Sequence, residues 1–131
     1  NGATQSRYIV SEVIAIRSEN VNAVDAAYQK SGDLLEQNVS LITEQNQSPV
    51  EYIFTGLNNI KPDMIAQATK SAREAAEQFA ADSGARIGGI RSAYQGMFQI
   101  LPRDSNNSYQ ERQSRYKTVR VVSTINFAIT E

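Results

Sequence analysis

Regularly spaced apolar residues between Pro62 and Gly84 constrain the fold of this chain more than any other feature. They recur every three or four positions, as residues on one face of an α-helix do: Met64, Ala68, Ala72, Ala75 and Phe79. Proline suits the first helical position because its ring fixes φ, and glycine commonly follows a helix end. The spacing therefore predicts a helix of about 21 residues that begins at Pro62 and ends at Gly84. Its stripe is mostly alanine, so this helix can approach a sheet closely.

The opposite face of this predicted helix is polar. It carries Gln67, Lys70, Arg73, Glu74, Glu77 and Gln78. Lys70 with Glu74, and Arg73 with Glu77, have the i,i+4 spacing of helical ion pairs. This face is predicted to be solvated.

Apolar residues with a period of two predict strands in much of the remaining chain. The predicted strands cover Tyr8 to Ile16, Val50 to Thr55, Arg86 to Leu101 and Tyr116 to Ile129, with a short apolar run from Val39 to Ile42. Gly88, Gly89 and Gly96 interrupt the third long strand and predict a bulge or bend there. A second helix is predicted from an N-cap at Asn20 to about Gln37.

Two polar stretches, Thr43 to Pro49 and Pro102 to Ser114, are predicted loops, the second of them long and mobile. The order of elements predicts an α+β fold: a two-layer sandwich with two helices packed on one face of a largely antiparallel (mixed) sheet. The length of 131 residues predicts a single domain over residues 1–131.

The composition excludes several classes of chemistry. The chain contains no histidine, no cysteine and no tryptophan. Thiolate and imidazole catalysis, Ser-His-Asp triads, His/Cys zinc sites and disulfides are therefore excluded. The 13 basic and 14 acidic residues give a formal charge of -1, so no strong field attracts nucleic acid or anionic lipid.

Carboxylate chemistry is the remaining route to an enzyme, and it needs paired acids that converge in a pocket. The candidate acids are Asp25, Asp33, Glu36, Asp63, Glu74, Glu77, Asp82 and Asp104. Most fall on predicted helix exteriors, caps or loops. We therefore expect no catalytic, cofactor-binding or metal-binding residues, and no cofactor.

One basic stretch with interleaved aromatic residues has the pattern of a single-strand nucleic-acid surface. It consists of Arg103, Tyr109, Arg112, Arg115, Tyr116, Lys117 and Arg120. Asp104 and Glu111 lie among these cations, and the whole chain is nearly neutral. A soluble loop beside a charge-protected strand edge is the favoured interpretation, and nucleic-acid binding is not expected.

The glycine-rich run from Gly84 to Gly89 follows a helix and enters a strand, whereas phosphate-binding loops follow a strand and open a helix. It is interpreted as a helix C-cap followed by a bulge. The first residues, Asn1 to Arg7, are polar, and no stretch approaches the ~18 apolar residues of a membrane span.

Five blocks of the chain together resemble the bacterial SIMPL-domain family. They are YIFTGLN at 52–58, IKPDMI at 60–65, ATKSAREAAEQFA at 68–80, GGIR at 88–91 and KTVRVVSTI at 117–125. The resemblance extends from about Arg7 to Ile129.

This resemblance implies an exported protein, because bacterial members typically carry an N-terminal signal or anchor. Some are described as immunogenic periplasmic proteins or are linked to oxidative-stress defence, and one relative forms a large ring-like homo-oligomer. No catalytic motif carries over, since the family's activity is largely unassigned. The family domain normally has strands upstream of the position of Tyr8, so this sequence is expected to lack them. Membrane anchoring is expected only through a segment outside it.

Three hypotheses remain open at this point. The first is a non-enzymatic cell-envelope protein that acts by self-assembly or binding. The second is a module that binds a small ligand or protein partner through the bent strand Arg86 to Leu101 and the loop Pro102 to Ser114. The third, a carboxylate enzyme, is a minor alternative.

Overall fold

The computed structural model describes residues 8, 10–41 and 50–130. The chain divides into two units, residues 1–50 and 51–131, which are described separately. That they form one domain stays a prediction. The predicted loop Thr43 to Pro49 and the residues Asn1 to Arg7 lie outside the described part.

The first unit contains helix α1 (Val21–Lys30) and the short helix α2 (Asp33–Glu36). The predicted N-cap is confirmed, because the Asn20 side chain accepts a hydrogen bond from the Ala23 amide at 3.1 Å. The prediction of one helix to Gln37 is wrong. The helix stops at a turn over Ser31 and Gly32, where the Ser31 hydroxyl competes for the Tyr28 carbonyl and glycine favours non-helical backbone.

The predicted strand from Tyr8 to Ile16 is not formed at any of its described positions. Its apolar side chains are exposed, with Val10 at 92% and Val13 at 95%. A strand exists only through hydrogen bonds to a neighbouring strand, and these residues pair with none in the described part of the chain. Val39 to Leu41 likewise form no strand, and Ile42 lies outside the described residues.

The second unit is built on helix α3 (Leu57–Asp82), a 26-residue helix. It begins five residues before Pro62, so the predicted start was wrong, and Pro62 lies inside the helix. Its end is as predicted. Gly84 has φ +72°, and the amides of Gly84 and Ala85 bond the Ala81 and Ala80 carbonyls at 3.1 and 2.8 Å. This is a Schellman cap, which favours glycine at its left-handed position.

Four strands follow α3: β1 (Arg86–Gln95), β2 (Gln99–Pro102), β3 (Lys117–Arg120) and β4 (Ser123–Thr130). Antiparallel pairs form between β1 and β4 and between β2 and β3. The two long strands predicted from Arg86 to Leu101 and from Tyr116 to Ile129 are therefore each divided in two. Together they make one two-stranded antiparallel ribbon, residues 86–102 against 117–130, with a break in the middle.

The ribbon break consists of residues 96–98 and Val121–Val122. The Gly96 amide bonds the Val122 carbonyl there at 2.8 Å. A Cβ on Gly96 would lie 3.0 Å from that carbonyl oxygen. The predicted bend is thus confirmed at Gly96, and register shifts between Ile87 and Ser92 confirm the bulge predicted at the glycine pair. The prediction of a strand from Val50 to Thr55 is wrong, because these residues form none. The Tyr52 amide donates a hydrogen bond to the Arg112 carbonyl at 2.7 Å.

Helix α3 packs against β4 and β1, which confirms the α+β class with antiparallel strands. On the helix stripe, Met64, Ala68, Ala72 and Ala76 are half-buried and Ala80 is buried. The other half-buried positions of α3 are Leu57, Ile60, Lys61, Thr69 and Arg73. The prediction had assigned Ala75 and Phe79 to this stripe, but both are exposed, Phe79 at 77%. Either Phe79 or Ala80 would continue the helical spacing of the stripe. Ala80 is the buried one, because its smaller side chain lets the helix approach the sheet more closely.

Arg73 also differs from its predicted place on the solvated face. It is half-buried, and its guanidinium lies 5.0 Å from the centre of the Phe127 ring on β4. Lys70 and Glu74 form the predicted surface pair, with Nζ 3.8 Å from Oε1. None of the described helices combines the length and apolar character that a membrane crossing needs.

Candidate functional site

The most structured polar feature of the second unit is the hairpin loop, residues 103–116, which joins β2 to β3. A 3₁₀ turn, Ser108–Gln110, lies in it, and the Asn107 side chain caps this turn by accepting from the Tyr109 amide at 3.1 Å. The Ser114 hydroxyl donates to the Gln110 carbonyl at 2.9 Å. These local bonds occupy backbone groups that a loop of this length would otherwise leave to water.

A partly buried ion pair holds the loop to the ribbon. Lys117 Nζ lies 2.6 Å from Glu111 Oε1 and also donates to the Glu111 carbonyl. The Lys117 side chain is 8% exposed and that of Glu111 is 21% exposed. A second, exposed pair joins Arg112 Nη1 to Glu51 Oε2 at 3.3 Å. The loop is thereby attached both to β3 and to the segment before α3.

Two arginines flank one tyrosine at the base of the loop. The guanidinium carbons of Arg103 and Arg115 lie 4.6 and 5.8 Å from the centre of the Tyr116 ring. Their side chains border an open cleft of about 290 Å³, which is also lined by Pro102, Asp104, Ser105, Gln110 and Ser114. The cleft offers hydroxyl and amide groups, one aromatic face and cations, a set suited to a small polar or anionic molecule.

The charges at the mouth of the cleft are partly neutralised by each other. Arg103 Nε and Nη2 donate to the Asp104 carboxylate at 3.0 to 3.2 Å. These hydrogen bonds hold the pKa of Asp104 below its usual value, and the same bonds raise the pKa of Arg103. Both groups are solvent-exposed, so the pair orients side chains more than it stabilises the fold.

We expect Arg103→Gln to return the Asp104 pKa upward, toward the ordinary aspartate value of about 3.9, because the bidentate guanidinium donor and its positive charge are lost. A lowered folded-state pKa favours folding above the unfolded-state pKa, and this contribution disappears as pH falls through the folded-state value. Carboxyl ¹³C NMR titration of Asp104 measures the change. Arg91→Gln, an exposed arginine on β1, is the control that should leave the titration unchanged. Equal midpoints in the wild type and Arg103→Gln would contradict the assignment.

The predicted basic stretch is dispersed by these pairings rather than assembled into one patch. Arg103 binds Asp104, Arg112 binds Glu51, and Lys117 binds Glu111. Arg120 Nη2 donates to Gln99 Oε1 across the ribbon at 2.7 Å. These cations connect parts of the second unit, which supports the interpretation of a charged loop and edge. That no nucleic acid binds stays a prediction.

The candidate carboxylates lie on several different elements. Asp63, Glu74, Glu77 and Asp82 are exposed along α3, Asp25 lies on α1, Asp33 and Glu36 lie on α2, and Asp104 binds Arg103. Asp82 accepts from Gln78 Nε2 at 3.1 Å. Among the described residues, no three acidic side chains are grouped closely enough to hold a metal ion. The absence of a catalytic site stays a prediction.

Exposed apolar side chains are the feature that the sequence patterns missed. In the described part of the chain, Ala80 and Pro102 are the buried residues, and Ala80 is still 8% exposed. Around the ribbon break, by contrast, Tyr94 is 72% exposed, Met97 85% and Val122 65%. The adjacent apolar residues Val121 and Val122 were a sequence signal for this exposure. Consecutive strand residues point to opposite faces, so a sheet with one buried face leaves one of the two exposed.

Three comparisons with known proteins bear on identity. A family model described as SIMPL, a protein of unknown function (DUF541), matches residues 1–127. No curated protein and no solved structure matches the chain.

Proposed function

Because the chain belongs to the SIMPL family, whose molecular function is unknown, we propose that it is a non-enzymatic cell-envelope protein that acts by self-assembly. The observation that carries the proposal is the exposed apolar surface of the second unit. Phe79, Tyr94, Met97, Val122 and Ile129 are each at least 65% exposed. Single exposed apolar residues are ordinary. A unit that buries so few apolar side chains and exposes so many is expected to bury some of them against another molecule.

A second copy of the chain can bury these side chains, and it is present wherever the protein is made. Symmetric association of identical chains is the commonest form of oligomer, and homodimer interfaces are more apolar than the general protein surface. The envelope location rests on the resemblance to exported family members. The non-enzymatic part is supported by the dispersed carboxylates and by the lack of histidine and cysteine.

Light scattering after size exclusion tests the proposal at several protein concentrations. We expect a mass above the 14.5 kDa of one chain, and a lower mass for Val122→Asp, because a charge at the exposed break opposes burial. Gln67→Asp adds the same charge on the polar face of α3 and should leave the mass unchanged. A monomer at every concentration would overturn the proposal. Fractionation of cells that produce the full-length protein tests the envelope location.

The cleft beside the hairpin loop favours a second candidate function, the binding of a small polar ligand or an acidic partner group. Acetate and inorganic phosphate are suitable first probes, because the cleft combines Arg115 with the Ser105 and Ser114 side chains. Amide NMR shifts confined to residues 103–116 would support it. Identical spectra with and without both anions would count against a site for anions there.

A further inference from the structure

The two outer edges of the β1–β4 sheet differ in a way that bears on association. An unpaired strand edge offers backbone N–H and C=O groups to another strand, and proteins commonly protect such edges with charges, prolines or bulges. Strand β1 carries charges and bulges. It has Arg86 and Arg91, the glycine pair 88–89, and two register shifts between Ile87 and Ser92 in which β1 holds the extra residue each time.

Strand β4 carries none of these features. Its eight residues, Ser123–Thr130, include no charged residue, no proline and no glycine. At both register shifts the extra residue lies in β1, so β4 itself contains no bulge. Within the described part of the chain, β1 is the strand bonded to β4 and the other edge of β4 is open.

We propose that the open edge of β4 pairs, antiparallel, with β4 of a second copy of this chain. The inference rests on the proposed self-assembly and names the surface through which it occurs. In a two-fold pairing a strand faces the same strand of the second copy. A strand that carries charges of one sign therefore repels its copy, whereas a neutral strand does not. Pairing β1 with its copy would bring arginines of like charge together on one bulged edge, whereas β4 brings only neutral residues together.

The expected product is a closed four-stranded sheet in the order β1, β4, β4, β1. Eight residues extend about 27 Å and can form about eight backbone hydrogen bonds with an antiparallel copy. The two-fold axis that relates antiparallel strands is perpendicular to the sheet, so both copies of α3 lie on the same face. The protected β1 strands then form the outer edges, which opposes further strand addition.

Engineered cysteines test this pairing without ambiguity, because the natural chain has none. Thr124→Cys, Asn126→Cys and Ala128→Cys place a thiol at alternate positions of β4, on the face away from the Ile125 and Phe127 side chains. Each variant is oxidised alone and in pairwise mixtures, which covers the possible registers. Facing residues in antiparallel strands have Cα atoms about 4.5–5.5 Å apart, within the range of a disulfide.

The matched control is Ser92→Cys on β1. Ser92 faces Asn126 within one chain, and its Oγ accepts from Asn126 Nδ2 at 2.8 Å, so it lies on the same face at the protected edge. We expect covalent dimers from at least one β4 variant or mixture, and none from Ser92→Cys. Circular dichroism establishes that each variant is folded before oxidation.

Light scattering on the wild-type chain separates the two proposals. A mass above one chain together with dimers from β4 cysteines supports both. An assembled protein with no β4 cross-link, or with a cross-link at Ser92, overturns the β4 pairing and leaves self-assembly standing. A wild-type monomer at every concentration overturns self-assembly, and the β4 pairing with it.

Discussion

Gly96→Ala is expected to lower the free energy of unfolding by about 1–3 kcal/mol, the usual range for an overpacked site. The new Cβ would lie 3.0 Å from the Val122 carbonyl oxygen, which is closer than carbon and oxygen atoms normally approach. That oxygen belongs to the backbone and accepts the Gly96 amide at 2.8 Å, so it cannot move away without loss of the hydrogen bond that crosses the ribbon break. Urea denaturation followed by circular dichroism measures the change.

Gly89→Ala is the matched control, since the same atom is added in the same ribbon with nothing within 4 Å of it. This change should be close to neutral, because reduced entropy of the unfolded chain offsets small losses in the strand. If both alanine variants unfold at the same urea concentration, the steric role of Gly96 is wrong.

Lys117→Met is expected to lower the free energy of unfolding by about 2 kcal/mol. The substitution leaves the Glu111 carboxylate and carbonyl without the cation that both bind. Removal of one partner from a fully buried ion pair costs about 3–5 kcal/mol, and the smaller value allows for the solvent access that Glu111 retains. Urea unfolding at neutral pH measures the loss, and the double variant Lys117→Met with Glu111→Gln should recover part of it.

Lys70→Met provides the comparison. Lys70 and Glu74 are 3.8 Å apart, and their side chains are 77% and 64% exposed. Removal of such a surface pair should change stability by less than about 0.5 kcal/mol. A loss for Lys117→Met as small as that for Lys70→Met would show that burial of the loop pair has no energetic consequence.

Local signals in the sequence succeeded where the interaction spans only a few residues. Asn20 caps α1, Gly84 ends α3, and the glycine pair 88–89 marks the bulge of β1. In each case the partner lies within about five residues or the residue's own backbone preference decides, so a short window contains the required information.

Predictions failed where a distant partner decides. The segment Val10 to Ile16 has a strand pattern without a strand, because alternation favours pairing but does not supply a neighbour. Arg73 was placed in solvent by helical spacing, yet the Phe127 ring, 54 positions further along the chain, covers it. The hairpin loop was predicted from its polarity, while its attachment through Lys117 and Arg112 depends on how the chain returns to β3.

The sequence by itself determined the α+β class, the alanine-rich character of α3, the ends marked by Asn20 and Gly84, and the exclusion of thiol and imidazole chemistry. Only the tertiary structure decided that Ala80 rather than Phe79 faces the sheet, that Gly96 and Val122 divide the ribbon, and that β1 is the partner of β4 among the described strands. The physical reason is the separation along the chain between the residues that interact. Caps and helical periodicity are local properties, whereas burial and strand pairing depend on residues far apart in the chain.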